Sequence, residues 1–528
     1  MTRRGLRSFL TAILLGSVLL GRPASLHAAL PAFEESLFAW DLEGAKSALA
    51  EQDPGPARQA REGMLAVYRA DYAYAEELLT AALASPDFPE DPAAQKEARH
   101  YLALARGSQR ALGAAIVMRS SDGSVEVVFA DAKDTLLAPY LFGAMEVARQ
   151  VLGSELGVTP DQVVRFEILD DPAKLALVTP LTLDNIYATG TIGITKYRRI
   201  VMVSPRVLLY GYPWLDTAVH EYVHYLITLR TRNLAPVWLQ EGLAKLMESR
   251  WRSTKTLPLA AASQRLLREA LKRDDLVTLA EMSPSIAMLP SQERAALAYA
   301  EVETMLSFLR ERRGAASLTA VLDRVRDGED AEAAFAGAWG AEFANFMANW
   351  TNHAKRITAT GGAASFTKRR FRDDDAESSG EDPSLFGDVF SHLGGGRARQ
   401  HARLGVLLTL REHERAAAQQ YEKARRADAE ARKDPKLARR LGEIYLKLGE
   451  PARALALLKL AAAADPENAN LAAAEASARL RSGDRAGARA AIERALRVNP
   501  FIPSIHCDLA ELARDDREET RERALCHE

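Results

Sequence analysis

Cysteine is nearly absent: Cys507 and Cys526 are the only two in 528 residues. Two thiols cannot build a disulfide framework or a cysteine-rich structural zinc site. Whether these two pair with each other stays open. An excess of one charge is missing too, since 69 Lys and Arg nearly cancel 71 Asp and Glu and leave a formal charge of -2. The chain as a whole therefore has no electrostatic pull toward nucleic acid or an anionic membrane. Long apolar runs are absent beyond the first two dozen residues. What is present is an ordinary globular balance, 48% hydrophobic and 27% charged. At about 150 residues per unit, the length suggests three or four folding units.

The first residues read as an export signal. Basic Arg3, Arg4 and Arg7 precede an apolar stretch from Ser8 to Gly21, and small residues follow up to Ala28 and Ala29. That order is the three-part layout of a secretory signal peptide over residues 1–28. The apolar stretch is shorter than the ~20 residues a membrane crossing needs, so an uncleaved anchor is the lesser reading. The expectation is a periplasmic or secreted protein with no membrane span after cleavage.

Near the C-terminus the chain repeats itself. Gly449 and Gly483 lie 34 residues apart, as do the pairs Asp465-Pro466 and Asn499-Pro500. A 34-residue period with Gly in one turn and Pro after the other describes stacked helical hairpins, and it resembles the tetratricopeptide repeat. Residues 401–513 are read as such repeats, followed by a charged tail over 514–528. A fainter pair, Trp40 to Ala45 and Ala70 to Ala75, marks a similar helical region over 31–110. A Gly-rich, charge-patterned stretch over 357–400 reads as a flexible linker.

Between these helical regions the texture changes. Val125–Phe129, Val164–Leu169 and Ile200–Val203 read as strands, with Gly190 and Gly193 in a hairpin between the last two. Thr135–Leu156 has a helical period, and the chain is mostly helical from Trp214 to about 355. Residues 124–356 are thus an α+β domain with a small mixed sheet first and helices after.

The chemistry sits where those helices begin. His220-Glu221-Tyr222-Val223-His224 places two histidines at i and i+4 on one helical face, able to aim at one metal ion. Glu221 is rotated by about 100° and stands beside that ion, where it can accept a proton. A second helix opens at Pro236, and Glu241 lies 17 residues beyond His224. Two His and one Glu are a catalytic zinc set with a fourth position left for water, though other divalent metals suit the same donors. Gly242 is expected to let this second helix pack closely on the first.

With His-Glu-x-x-His followed by Trp238-Leu239-Gln240-Glu241-Gly242-Leu243-Ala244, residues 125 to 355 resemble the gluzincin metallopeptidases of the peptidase MA-like group. The resemblance implies a zincin-like domain binding one Zn2+ through His220, His224 and Glu241. It also implies peptide-bond hydrolysis by a zinc-activated water, with Glu221 as general base. It suggests a downstream Tyr or His as oxyanion donor, for which Tyr299 is the candidate and a core tyrosine the alternative. Asp216 and Glu301 are weaker candidates for orienting a histidine. Ile227 and Arg230 occupy positions where the metzincin extension needs Gly and His, so that subclass is excluded. Gly143-Ala144-Met145-Glu146 imitates an exopeptidase motif but lies far upstream in a helical pattern, which leaves endopeptidase cleavage as the expectation. The segment from Ala188 to Thr191 is read as the start of an edge strand for an extended substrate. The competing reading is a repeat scaffold, or an envelope-assembly protein, whose zincin domain is structural or idle. The expected partners are a peptide or protein substrate and a protein held by the repeats.

Overall fold

The computed structural model describes residues 32–358, 368–371, 390–393 and 396–527. The signal-peptide reading of residues 1–28 and most of the 357–400 linker lie outside them. The chain packs as two units. The first takes in the described residues up to Ser204 and those from Asp216 to Lys368; the second takes in Pro205–Leu215 and the described residues from Arg369 on.

The first unit opens with helical hairpins: α1 (Ala32–Phe38), α2 (Leu42–Ala50), α3 (Pro56–Tyr68), α4 (Tyr72–Ala84) and α5 (Pro92–Leu112). The paired landmarks have a physical cause. Asp41 and Asp71 each cap the following helix with a carboxylate, accepting from the Gly44 and Tyr74 amides, and each follows a residue with positive φ.

A five-stranded sheet comes next, formed by β1 (Ile116–Arg119), β2 (Val125–Phe129), β3 (Val164–Leu169), β4 (Gly193–Lys196) and β5 (Arg199–Val203). Its order is β1-β2-β3-β5-β4. The inner strands β2, β3 and β5 run parallel, and β1 and β4 are antiparallel edges. Helices α6 (Ala138–Leu156), α7 (Pro172–Val178) and α8 (Leu183–Thr189) join the strands. The hairpin differs from the sequence expectation. Gly190 caps α8 in a left-handed conformation, and Ala188 and Thr189 belong to that helix rather than to an edge strand. The turn between β4 and β5 is made by Tyr197 and Arg198, both with positive φ, as a two-residue hairpin turn requires.

The N-terminal helices are bound to the sheet through a buried polar cluster. Tyr72 of α4 donates to Glu167 of β3 at 2.5 Å, and Arg199 of β5 bonds to the same Tyr72 hydroxyl and to Ser108 of α5 at 3.1 Å. Glu167 and Arg199 are almost wholly buried. Burying a carboxylate and a guanidinium this deeply is tolerable only because each has several partners.

The unit closes with helices α9 (Trp214–Thr231), α10 (Val237–Met247), α11 (Ala261–Arg273), α12 (Gln292–Arg313), α13 (Ala316–Arg326), α14 (Ala331–Trp339) and α15 (Phe343–Ile357). The first two residues of α9 count with the second unit.

The second unit is built from antiparallel helical pairs. They are α16 (Gly396–Leu410) with α17 (Glu414–Ala427), the short α18 (Ala429–Lys433), α19 (Pro435–Lys447) with α20 (Pro451–Ala464), α21 (Ala469–Arg481) with α22 (Arg485–Leu496), and α23 (Pro503–Glu511) with α24 (Asp516–Leu525). Gly449 and Gly483 turn two of these pairs with φ of 75° and 84°, which explains glycine at that point of the repeat.

Two readings change here. Part of the stretch read as linker is structured, because Phe371, Phe390 and Leu393 are buried; large apolar side chains in a charged stretch find a core. The charged tail contains α24, pinned by the Cys507–Cys526 disulfide with its Cα atoms 4.8 Å apart. Among the described residues, no helix is long and apolar enough to cross a membrane.

Candidate metal centre

Helix α9 is buried on nearly every side, with Val219, Tyr222, Val223, Tyr225 and Leu226 all inaccessible. A helix so enclosed holds its polar residues in fixed places, and His220, Glu221 and His224 face α10 and β4. Helix α10 brings Glu241 to the two histidines. Its Oε2 lies 3.2 Å from His220 Nε2 and 3.2 Å from His224 Nε2, and the two nitrogens are 3.2 Å apart.

That near-equilateral triangle tests whether the donors suit an ion. A tetrahedral site with ligand distances of about 2.0–2.1 Å has edges of about 3.3–3.4 Å. The three donor atoms therefore stand almost where one face of such a tetrahedron would place them. As hydrogen bonding the arrangement is poor, because two ring nitrogens face each other as well as the carboxylate. Among the described residues, these three form the one His/Cys/Asp/Glu group able to hold a metal ion.

The outer partners fix which nitrogen points inward. His220 Nδ1 faces Glu248 Oε2 at 3.1 Å, and Lys245 Nζ holds the other oxygen of Glu248 at 2.6 Å. His224 Nδ1 faces Gln240 Oε1 at 3.4 Å, while the Gln240 amide nitrogen donates to the Ala235 carbonyl at 2.8 Å. Both Nδ1 atoms are thereby engaged and both Nε2 atoms are turned to the centre. Sequence reasoning missed Glu248 and Gln240. Glu248 had a signal, since it lies seven residues past Glu241, two turns along the same side of the helix.

The electrostatics reflect the crowding. Burial by itself lowers His220, but its hydrogen bonds to Glu241 and Glu248 outweigh this and lift it to about 9. Burial pushes Glu241 up, yet the two histidines hold it well below the usual carboxylate range. Glu248 behaves likewise, with Lys245 and His220 overcoming burial to bring it to about 2. The cluster gathers negative charge around one point and draws a proton there when nothing else is bound.

Glu221 stands apart from the triangle, as its rotation on the helix requires. Thr195 Oγ1 of β4 lies 2.8 Å from Glu221 Oε2 and 2.7 Å from the Glu221 main-chain oxygen. The other carboxylate oxygen lies against Gly193, where an added Cβ would stand 3.1 Å away. Gly193 thus makes room for the carboxylate rather than turning a hairpin. Burial is the main cause raising the Glu221 carboxyl, despite the neighbouring histidines.

Other expected residues fall differently. Tyr299 of α12 is half-buried, its ring centroid 6.2 Å from that of His220 and edge-on to it. Asp216 does not reach the histidines; it accepts from Trp251 at 2.8 Å and from Arg252 at 2.6 Å. Glu301 is also elsewhere, accepting the Val277 amide at 2.9 Å and pushed up to about 8 by burial. Gly242 packs α10 against α12 rather than α9: a Cβ there would meet Leu306 at 2.8 Å and the Val302 carbonyl at 2.9 Å. Helix α10 meets α9 through its polar ligand side, so its smallest residue serves the opposite neighbour. Glu146 is exposed on α6 within a regular helix, and its motif carries no site.

A mixed sheet beside a helix pair bearing two histidines and a glutamate is a metallopeptidase-type fold. Residues 147–356 match the family model of the Peptidase MA superfamily, so a domain of that superfamily occupies the centre of the chain. It contains every residue of the donor triangle, together with Glu221, Thr195 and Tyr299. No curated protein matches the chain. Among solved structures, native yeast LTA4 hydrolase is similar at 12% identity over 78% of this chain and 66% of that one, with a TM-score of 0.29. The chain thus spans just under two thirds of that hydrolase. The APC/C hetero-tetramer Cut9-Hcn1 is similar at 13% identity over 92% of this chain and 82% of that one, with a TM-score of 0.20. At these scores neither likeness defines the overall fold.

Proposed function

We propose that this protein is an exported zinc-dependent metalloendopeptidase whose helical repeats recruit a protein substrate or partner. The observation that carries the reading is the donor triangle of His220, His224 and Glu241, with a separately held carboxylate beside it. A structural metal site has no use for Glu221, and this placement favours catalysis over a scaffold. Zinc held by the three donors would supply Lewis acidity and bring the pKa of water near neutrality. Glu221, held by Thr195 and lodged against Gly193, accepts the proton of the attacking water and returns it to the leaving amine. Burial raises this carboxyl's affinity for a proton, in the direction a general base needs. Tyr299 is the proposed donor to the developing oxyanion, from the α12 side of His220. The antiparallel edge strand β4 lies next to Glu221 and offers main-chain groups to an extended peptide. The Cys507–Cys526 disulfide and the layout of residues 1–28 support export to an oxidising compartment.

The test is metal analysis of the chain lacking residues 1–28, with cleavage of reduced, unfolded casein followed in the parent and in Glu221→Gln. One equivalent of zinc in both, with cleavage falling at least about 1,000-fold in the variant, is expected. Zinc in both without cleavage in either would favour the scaffold reading.

A further inference from the structure

The two ends of the C-terminal helical array are finished differently. At the far end, α24 is polar, and Glu522 is its one buried residue. A helix of that kind closes a stack of repeats, whose terminal units need a water-compatible outer face. At the near end, α16 buries Ala398, Ala402, Gly405 and Val406 against its neighbours. Its other side carries Leu404, Leu407 and Leu410, which are 43%, 48% and 43% exposed. Three leucines spaced three apart on one helix make a stripe, not scattered surface residues.

Charge indicates what covers it. Arg397 and Arg403 on the helix, and Arg411 in the turn that follows it, are exposed, and none has a carboxylate at ion-pair distance among the described residues. Residues 396–427 contain eight Lys and Arg against three Glu, in a chain that is slightly negative overall. A second copy of the chain would bring like charges together on this face, which disfavours self-association. An acidic helix with one apolar side meets both the leucines and the arginines.

We propose that the outer side of α16 docks an acidic amphipathic helix of another protein. Leu404, Leu407 and Leu410 take its apolar side, and Arg397, Arg403 and Arg411 take its flanking carboxylates. This deepens the partner-recruiting half of the functional reading and requires no peptidase activity. An inactive metal centre leaves it standing, and failed docking leaves the peptidase reading standing.

The test uses the chain lacking residues 1–28 and two fluorescein-labelled helical peptides, each with a leucine stripe, one flanked by Glu and the other by Lys. Fluorescence anisotropy should show saturable binding of the Glu peptide, weakened at least about tenfold by high salt. Leu407→Asp should weaken it at least about tenfold. The triple variant Arg397→Glu, Arg403→Glu, Arg411→Glu should switch preference to the Lys peptide, a gain that misfolding cannot produce. Equal binding of both peptides to the parent, or an unchanged preference in the triple variant, would overturn the proposal. A dimer in light scattering that Leu407→Asp dissolves would assign the face to a second copy instead. Binding that emerges only after the acidic residues 373–382 are removed would assign it to the chain's own acidic stretch, and would equally overturn the proposal.

Discussion

Among the described residues, each unit has a buried histidine paired with glutamate. In the second unit His506 Nδ1 meets Glu522 at 2.7 Å and His506 Nε2 meets the Pro500 carbonyl at 2.7 Å. Each ring nitrogen has one acceptor, both side chains are almost wholly buried, and the pair ties α23 to α24. In the first unit His220 also has a carboxylate at each nitrogen, but a second imidazole points at the same place. The pairs share composition and differ in saturation. A histidine with one separate partner on each ring nitrogen is part of the framework. Three donors converging within 3.2 Å, with more lone pairs than protons to share, are what a cation resolves.

The largest effect should separate the two pairs outright. His224→Ala is expected to weaken zinc binding at least about 1,000-fold, since a two-ligand remnant lacks the coordination a stable site needs. His506→Ala should leave zinc content at the parent level and cost about 1–3 kcal/mol of the C-terminal unit's stability. Metal analysis after dialysis against a weak chelator, together with urea unfolding, reads both. Equal zinc loss in the two variants would erase the distinction.

A smaller change should grade it. Glu248→Gln keeps the shape of the outer partner and removes its charge, and zinc affinity should fall about 10–100-fold. An affinity equal to the parent's would reduce Glu248 to a bystander.

The most diagnostic effect is on protons. The raised His220 pKa means that the metal-free centre holds a proton at neutral pH, which a metal must displace. Zinc affinity should therefore climb about tenfold per pH unit between pH 6.5 and 9 and then level off. Calorimetry in two buffers of different ionisation enthalpy should report about one proton released near pH 7.5. The sign is opposite for the metal-free fold: the raised pKa contributes stability below pH 6.5 that is lost as pH rises through 9.

Much of this was readable from the chain because its causes are local. The inner strands β2 and β3 begin and end where their apolar runs do, and β5 starts one residue earlier. The edge strand β1 went unread and the start of β4 was placed a few residues early, because each is only four residues long and β1 is mostly exposed and lacks an apolar alternation. Within the centre, His220, Glu221, His224 and Glu241 announce themselves by helical spacing. Thr195 does not, because it arrives from a strand 26 residues before Glu221, and no spacing rule connects a sheet edge to a helix. The link between Tyr72, Glu167 and Arg199 is less legible still, spanning up to 127 residues with a chemistry that is ordinary until it is buried.

That same link sets where the molecule can be cut. Similarity to a family delimits residues 147–356, yet a fragment with those ends would begin inside α6 and would lack β1, β2 and every N-terminal helix. Glu167 and Arg199 would then stand on an uncovered sheet without the Tyr72 hydroxyl or Ser108. Residues 32–129 are thus no removable propeptide in the thermodynamic sense. They belong to the same compact unit as the metal-centre helices, and a protease that trimmed them would uncover the sheet on which Glu221 leans.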